Sequence, residues 1–229
     1  MTADGSRRRF VKSALAAGLL VPGGVGGLVS IALAQAEPAQ GIRRMRGQVM
    51  VNGQPVKEGT PIKPGDGEIT TGPKSFATFV VGQDAFLLRG NSRLELSGTS
   101  SVVNLVRVIT GKLLSVYAKG VGERRMQGSV GTIGIRGTGA YIESEPDKTY
   151  FCLCYGEAEI VADADPQVRE TVYTVHHDSP RYIYAKGPKL IEKARVINHR
   201  DDELILLESL VGRTPPFVDT DEYKSGVRY

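Results

Sequence analysis

The chain has 229 residues, of which 41% are hydrophobic, 24% charged and only 7% aromatic. That apolar fraction excludes a fully disordered chain, and two cysteines are too few to staple this length as a disulfide scaffold. The net charge of +4 sits largely at the start: Asp4, Arg7, Arg8, Arg9 and Lys12 give residues 1–36 a charge of +3, so the remaining 193 carry +1 and no nucleic-acid partner is expected.

The first thirty-six residues read as an address. Ser6-Arg7-Arg8-Arg9-Phe10-Val11-Lys12 precedes an uncharged stretch rich in Ala, Gly, Leu and Val, which ends at Ala34-Gln35-Ala36, a small-x-small cleavage pattern. It resembles a twin-arginine (Tat) signal, with Arg7 and Arg8 as the arginine pair and Ala34 and Ala36 as the cleavage residues. Pro22 and the glycines at 18, 23, 24, 26 and 27 lower the hydrophobicity below that of a stable span. The expectation is export by the Tat translocase to the periplasm, cleavage after Ala36, and membrane attachment only if cleavage fails.

From residue 40 to 161 the pattern is short strands and tight turns. Val49 to Val51 leads into Asn52-Gly53, a strong two-residue hairpin signal. Pro61, Pro64, Gly65 and Gly67 punctuate a loop. Strands follow at 75–81, 85–89 and 92–96, where Leu94 and Leu96 share one face. Val102 to Val108 is an apolar run ending at Thr110-Gly111, and Lys112 to Tyr117 continues it. Gly120 to Arg125 reads as an exposed loop. Glu145 to Lys148 makes a turn, and Thr149 to Tyr155 is the next strand. With 28 Gly and 12 Pro, this spacing predicts an all-β fold, as a sandwich, jelly roll or solenoid-like roll.

One helix is predicted, at about 200–211. Asn198 is the candidate N-cap, Asp201, Asp202 and Glu203 complement the dipole, and Leu204, Leu207, Leu210 and Val211 recur at helical spacing. Gly212 and Pro215-Pro216 stop it. Residues from Asp219 onward are polar and expected to fray.

The β region resembles the FecR-like domain. The resemblance rests on GQVMVNGQPVKEGTPIKPGDGEITTG, FVVGQDAFLLRGNSRLELSG, VRVITGKLLSVYAKG, VGTIGIRGTGAYIESEP and TYFCLCYGEAEIV, and spans residues 45–162. It implies an extracytoplasmic β domain that binds a partner or ligand and does no chemistry. The sensor-regulators of that family carry an anti-sigma segment and a membrane span ahead of the domain. Here 36 residues of export signal precede it, so a stand-alone exported form is expected, followed by a C-terminal extension at 163–229.

Gly131-x-x-Gly134-x-x-Gly137-x-Gly139 invites a phosphate-loop reading, but β-type residues follow where a nucleotide site needs a helix. Turns and close backbone approach are the better reading, with Arg136 in an ion pair or capping a carbonyl. Cys152-x-Cys154 places two sulfurs on one face of a strand. Three chemistries fit: buried core thiols, a strained disulfide, or two thiolates for a soft metal. All three histidines, His176, His177 and His199, come after the cysteines. His176 and His177 are adjacent and face opposite ways on a strand, so both chelate only if the chain bends. Cys152, Cys154, His176, His177 and His199 are the candidate ligands, for zinc or copper.

The expected function is a non-catalytic binding, sensing or scaffold protein of the cell envelope that needs no cofactor and meets an envelope protein or cell-wall component. The alternatives are a metal-binding periplasmic protein and a cysteine-dependent hydrolase. The hydrolase lacks a Gly-x-Ser-x-Gly elbow, and a mid-strand thiol is expected to have a raised pKa.

Overall fold

The computed structural model describes residues 38–99, 101–120, 122 and 124–229. The expected export signal, with Arg7, Arg8, Ala34 and Ala36, lies outside the described residues. Pro38–Tyr229 forms one compact unit, and it is all-β with one helix of more than a single turn.

The strands are β1 (Gly41–Arg46), β2 (Val49–Val51), β3 (Gln54–Pro55), β4 (Glu68–Thr71), β5 (Phe76–Val81), β6 (Asp84–Leu88), β7 (Ser92–Thr99), β8 (Val102–Val116), β9 (Arg124–Gln127), β10 (Gly131–Glu145), β11 (Lys148–Ala162), β12 (Arg169–Thr174), β13 (Arg181–Tyr184) and β14 (Ile191–Lys193). They form one branched sheet, antiparallel except where β8 meets β9. The hairpin predicted at Asn52-Gly53 joins β2 to β3, with both residues at positive φ as the turn requires.

Three strands of 15 residues, β8, β10 and β11, carry the architecture. Each changes partners along its length. The first part of β8 pairs with β7, while Leu113–Val116 lies between β6 and β10. Strand β11 pairs with β13 over 148–151 and with β12 over 156–161. The apolar run expected to end at Thr110-Gly111 and to be continued by Lys112 to Tyr117 is one continuous strand, with a bulge at Ile109. Gly111, two residues on, has φ 92, and a Cβ there would meet the Ser92 backbone at 2.6 Å, so the close approach of β7 requires glycine. The glycine run at 131–139 lies within β10, with a bulge between Arg136 and Gly139 and no helix after it. Arg136 is exposed rather than packed, and lines a shallow surface depression of about 220 Å³.

The sheet's side chains divide between two apolar clusters. The larger includes Ile42, Phe79, Phe86, Leu94, Val106, Met126, Ile133, Ile142 and Phe151. The second lies on the opposite face of several of these strands: Val80, Leu87, Leu114, Tyr141, Tyr150, Cys152 and Cys154 are covered by Leu204, Leu207, Val211 and Phe217. Alternation along β11 makes the division, since Phe151 and Leu153 go to one cluster and Cys152 and Cys154 to the other.

The cover is helix α1 (Asp201–Leu210), a 3₁₀ turn (Pro216–Asp219) and the single-turn α2 (Asp221–Lys224). The N-cap of α1 is Arg200, not Asn198. Asn198 adopts φ 59 and donates its Nδ2 to Glu143 Oε1 at 2.7 Å, so it is used as a left-handed corner. Arg89 grips the start of α1 through Glu203 at 2.9 Å, and Arg213 holds its end through Glu208 at 2.5 Å. Tyr155 donates its hydroxyl to the same Glu208. Burial of Leu207 leads us to expect Leu207→Ala to destabilise the fold by about 2–5 kcal/mol, read as a lower denaturant midpoint with unchanged slope.

Two expectations fail for the same reason. The loop ending at Arg125 was to be exposed, yet Arg124 opens β9 and is buried against Asp84. The tail from Asp219 is expected to fray, yet the Tyr229 carbonyl accepts from the Asp201 amide and the Tyr229 amide donates to the Asp201 carboxylate. In both, a tertiary partner claims a segment whose composition is polar.

Candidate metal centre

Strand parity, two bends and the entry to α1 build the site. Cys152 and Cys154 project from β11 into the second apolar cluster and are free thiols, so the strained disulfide does not form. After β12 the chain bends. His177 takes φ 57, and its N–H donates to the Cys154 carbonyl at 3.0 Å. That left-handed residue supplies the bend that adjacent histidines need. Their rings now lie on the same side, 5.3 Å apart. His199 follows the left-handed Asn198, and its ring stacks on Tyr141 at 4.4 Å.

One donor atom each from Cys152, Cys154, His177 and His199 lies within 4.8 Å of the others, and all four residues are buried. Cys152 Sγ is 3.6 Å from His177 Nδ1, which is 3.0 Å from His199 Nε2. Zinc bonds of about 2.3 Å to sulfur and 2.0–2.1 Å to nitrogen, at tetrahedral angles, place ligand atoms about 3.3–3.8 Å apart. The observed spacings need only small adjustments to meet that. His199 is set for the role, because its Nδ1 donates to the Ile197 carbonyl at 2.7 Å and leaves the Nε2 lone pair facing inward.

The fifth candidate, His176, belongs to a neighbouring group. Its Nε2 is 2.9 Å from Asp201 Oδ1, and its ring stacks on Phe217 at 4.5 Å. The residue missed from the sequence is Asp201. It was read as a helix-start charge, but it is buried and touches both His176 and His177. Its position two residues after His199 was the available signal.

The thiols are unlike each other. Burial works to raise Cys152, but hydrogen bonds from Cys154, His177 and His199 outweigh it and hold that thiol well below its ordinary value. Burial, followed by the hydrogen bond and charge of Cys152, pushes Cys154 well above. The raised value expected for a mid-strand thiol therefore holds for Cys154 and fails for Cys152, because imidazoles surround the latter. Neither sulfur is exposed, and the depression around Arg136 includes none of the four donors.

Fold and site define an all-β protein with a buried cluster of two thiols and two imidazoles beneath its C-terminal helix. No family model matches the chain, and no curated protein matches it. Two crystal structures titled as a "putative anti-sigma factor" from Parabacteroides distasonis ATCC 8503 are similar to it, each at 11% identity and a TM-score of 0.46. Each likeness covers 56% of this chain and 60% of that one, so the chain spans less than two thirds of the proteins it matches.

Proposed function

We propose that this chain is an exported, non-catalytic FecR-like protein that binds one closed-shell metal ion, Zn²⁺ or Cu⁺, through Cys152, Cys154, His177 and His199. The observation that carries the reading is the convergence of two sulfurs and two imidazoles, all buried, within 4.8 Å. Four protein donors leave no open coordination position, which suits a structural or sensing ion rather than a Lewis acid. Burial keeps both thiols from any substrate and argues against the cysteine hydrolase. The Tat-like signal supports a periplasmic site of action, after folding and loading in the cytoplasm. There the β surface would meet an envelope protein or cell-wall component.

Metal analysis of the purified, processed protein is the test. About one equivalent of zinc or copper is expected in the wild type, with marked loss in Cys152→Ser and Cys154→Ser. Equal and negligible metal in all three, also after zinc is added to the reduced protein, overturns the reading.

A further inference from the structure

The aspartate that opens α1 is only 3% exposed. Among the described residues, no lysine or arginine is paired with it. Its carboxylate instead meets His176 Nε2 at 2.9 Å, His177 Nε2 at 3.2 Å and the Tyr229 amide at 3.1 Å. Burying a carboxylate without a cation is costly, so this placement calls for a partner of positive charge nearby.

The His177 ring indicates where that charge belongs. Its Nε2 side faces Asp201, and its Nδ1 side faces the donor cluster. A neutral imidazole carries one N–H. A carboxylate beside Nε2 favours the proton there and leaves the lone pair on Nδ1, aimed at Cys152 and His199. The 3.2 Å approach is not aligned as a hydrogen bond, so His177 Nε2 is a buried donor with an acceptor close by but not yet engaged.

Building on the metal centre proposed above, we infer that Asp201 is the positioning residue of that centre. It selects the Nε2–H form of His177, makes Nδ1 the metal donor, and completes its hydrogen bond when the ion fixes the ring. The arrangement mirrors His199, whose Nδ1–H is held by the Ile197 carbonyl so that Nε2 points inward. Outer partners of this kind raise ligand basicity and hold ring orientation. Asp201 is also the first residue of α1, and Tyr229 contacts its main chain and carboxylate. Metal affinity thereby depends on a seated C-terminal segment, and by linkage the metal favours the seated form.

The test is zinc affinity of the full processed chain, measured by competition with a chromophoric chelator. Asp201→Ala is expected to bind zinc about 10–100-fold more weakly. Asp201→Asn retains an acceptor oxygen and is expected to fall between Ala and wild type. Asp202→Ala, at an exposed neighbour paired with Arg200, is expected to leave affinity unchanged. Wild-type affinity in Asp201→Ala overturns the positioning role and leaves the centre standing. Failure of the wild type to bind zinc or copper overturns the centre, and this inference with it. Nitrogen NMR of the histidine rings in the zinc-loaded wild type gives a readout that needs no variant. A proton on His177 Nε2 with metal on Nδ1 is expected, and the reverse assignment overturns the inference.

Discussion

Removal of the proposed metal is expected to lower the melting temperature of the processed protein by about 8–16 °C. An ion at about a thousandfold its dissociation constant stabilises the form that binds it by about 4.1 kcal/mol, and each kcal/mol moves the midpoint of a domain this size by about 2–4 °C. The location of the four donors makes the effect global. Cys152 and Cys154 belong to the long strand β11, while His177 and His199 sit on separate connections and His199 leads directly into α1. One ion held by these donors would join three stretches of chain across the second apolar cluster. The measurement is a thermal melt of the reduced protein with chelator, with chelator followed by excess zinc, and untreated. Recovery on zinc addition in the wild type, absent in Cys154→Ser, is the expected pattern. Identical melts in all conditions would remove the metal from any part in stability.

The second large effect is expected at the buried pair of Asp84 and Arg124. Asp84 opens β6 and accepts from the Ala118 amide at 3.0 Å and from the Arg124 guanidinium. Arg124 is 3% exposed and lies over the Tyr117 ring at 5.5 Å. The pair ties the return from β8 and the start of β9 to β6. Burial raises the Asp84 carboxyl above its ordinary value even though the hydrogen bond and charge of Arg124 pull it down. The sign follows from that direction. An acid raised in the folded state loses stability as pH climbs from the unfolded value of 3.8 through the folded one, so at neutral pH the charged aspartate carries a net desolvation cost. Removing one partner is far worse than keeping both. Asp84→Ala is expected to cost about 3–5 kcal/mol, because it strands a buried guanidinium and a main-chain amide. Arg124→Met strands the carboxylate with a similar loss. The double variant is expected to recover much of the loss of either single one. Denaturant unfolding of the four proteins at neutral pH measures this, and simple additivity of the two losses would refute the account.

Much of the β region is legible in the residues because its signals are local. Asn52-Gly53 can adopt the left-handed pair a tight hairpin needs, and the structure uses it so. The Glu145–Lys148 turn joins β10 to β11 as expected, since the apolar alternation on both sides sets the register. The helix was readable from its leucine spacing. Its cap was not, because tertiary contact overrides propensity: Asn198, the better N-cap former, donates to Glu143 instead, and the Arg200 amide donates to Glu203. Arg124 looks like a loop residue until Asp84, forty positions earlier, is placed beside it.

The candidate centre divides along the same line. Placement of Cys152 and Cys154 on one face follows from the period of two along a strand, and the sequence alone determines it, as it does the all-β character and the helix at the end. Whether those sulfurs meet imidazoles is a matter of chain path. His177 turns inward only because a left-handed bend hangs its amide on the Cys154 carbonyl. His199 and Asp201 arrive only because α1 packs its leucines over the face that carries the cysteines. Strand parity is a property of adjacent peptides, whereas bringing residues 152, 177, 199 and 201 together requires loop closure and burial across the whole sheet, which no window of neighbouring residues contains.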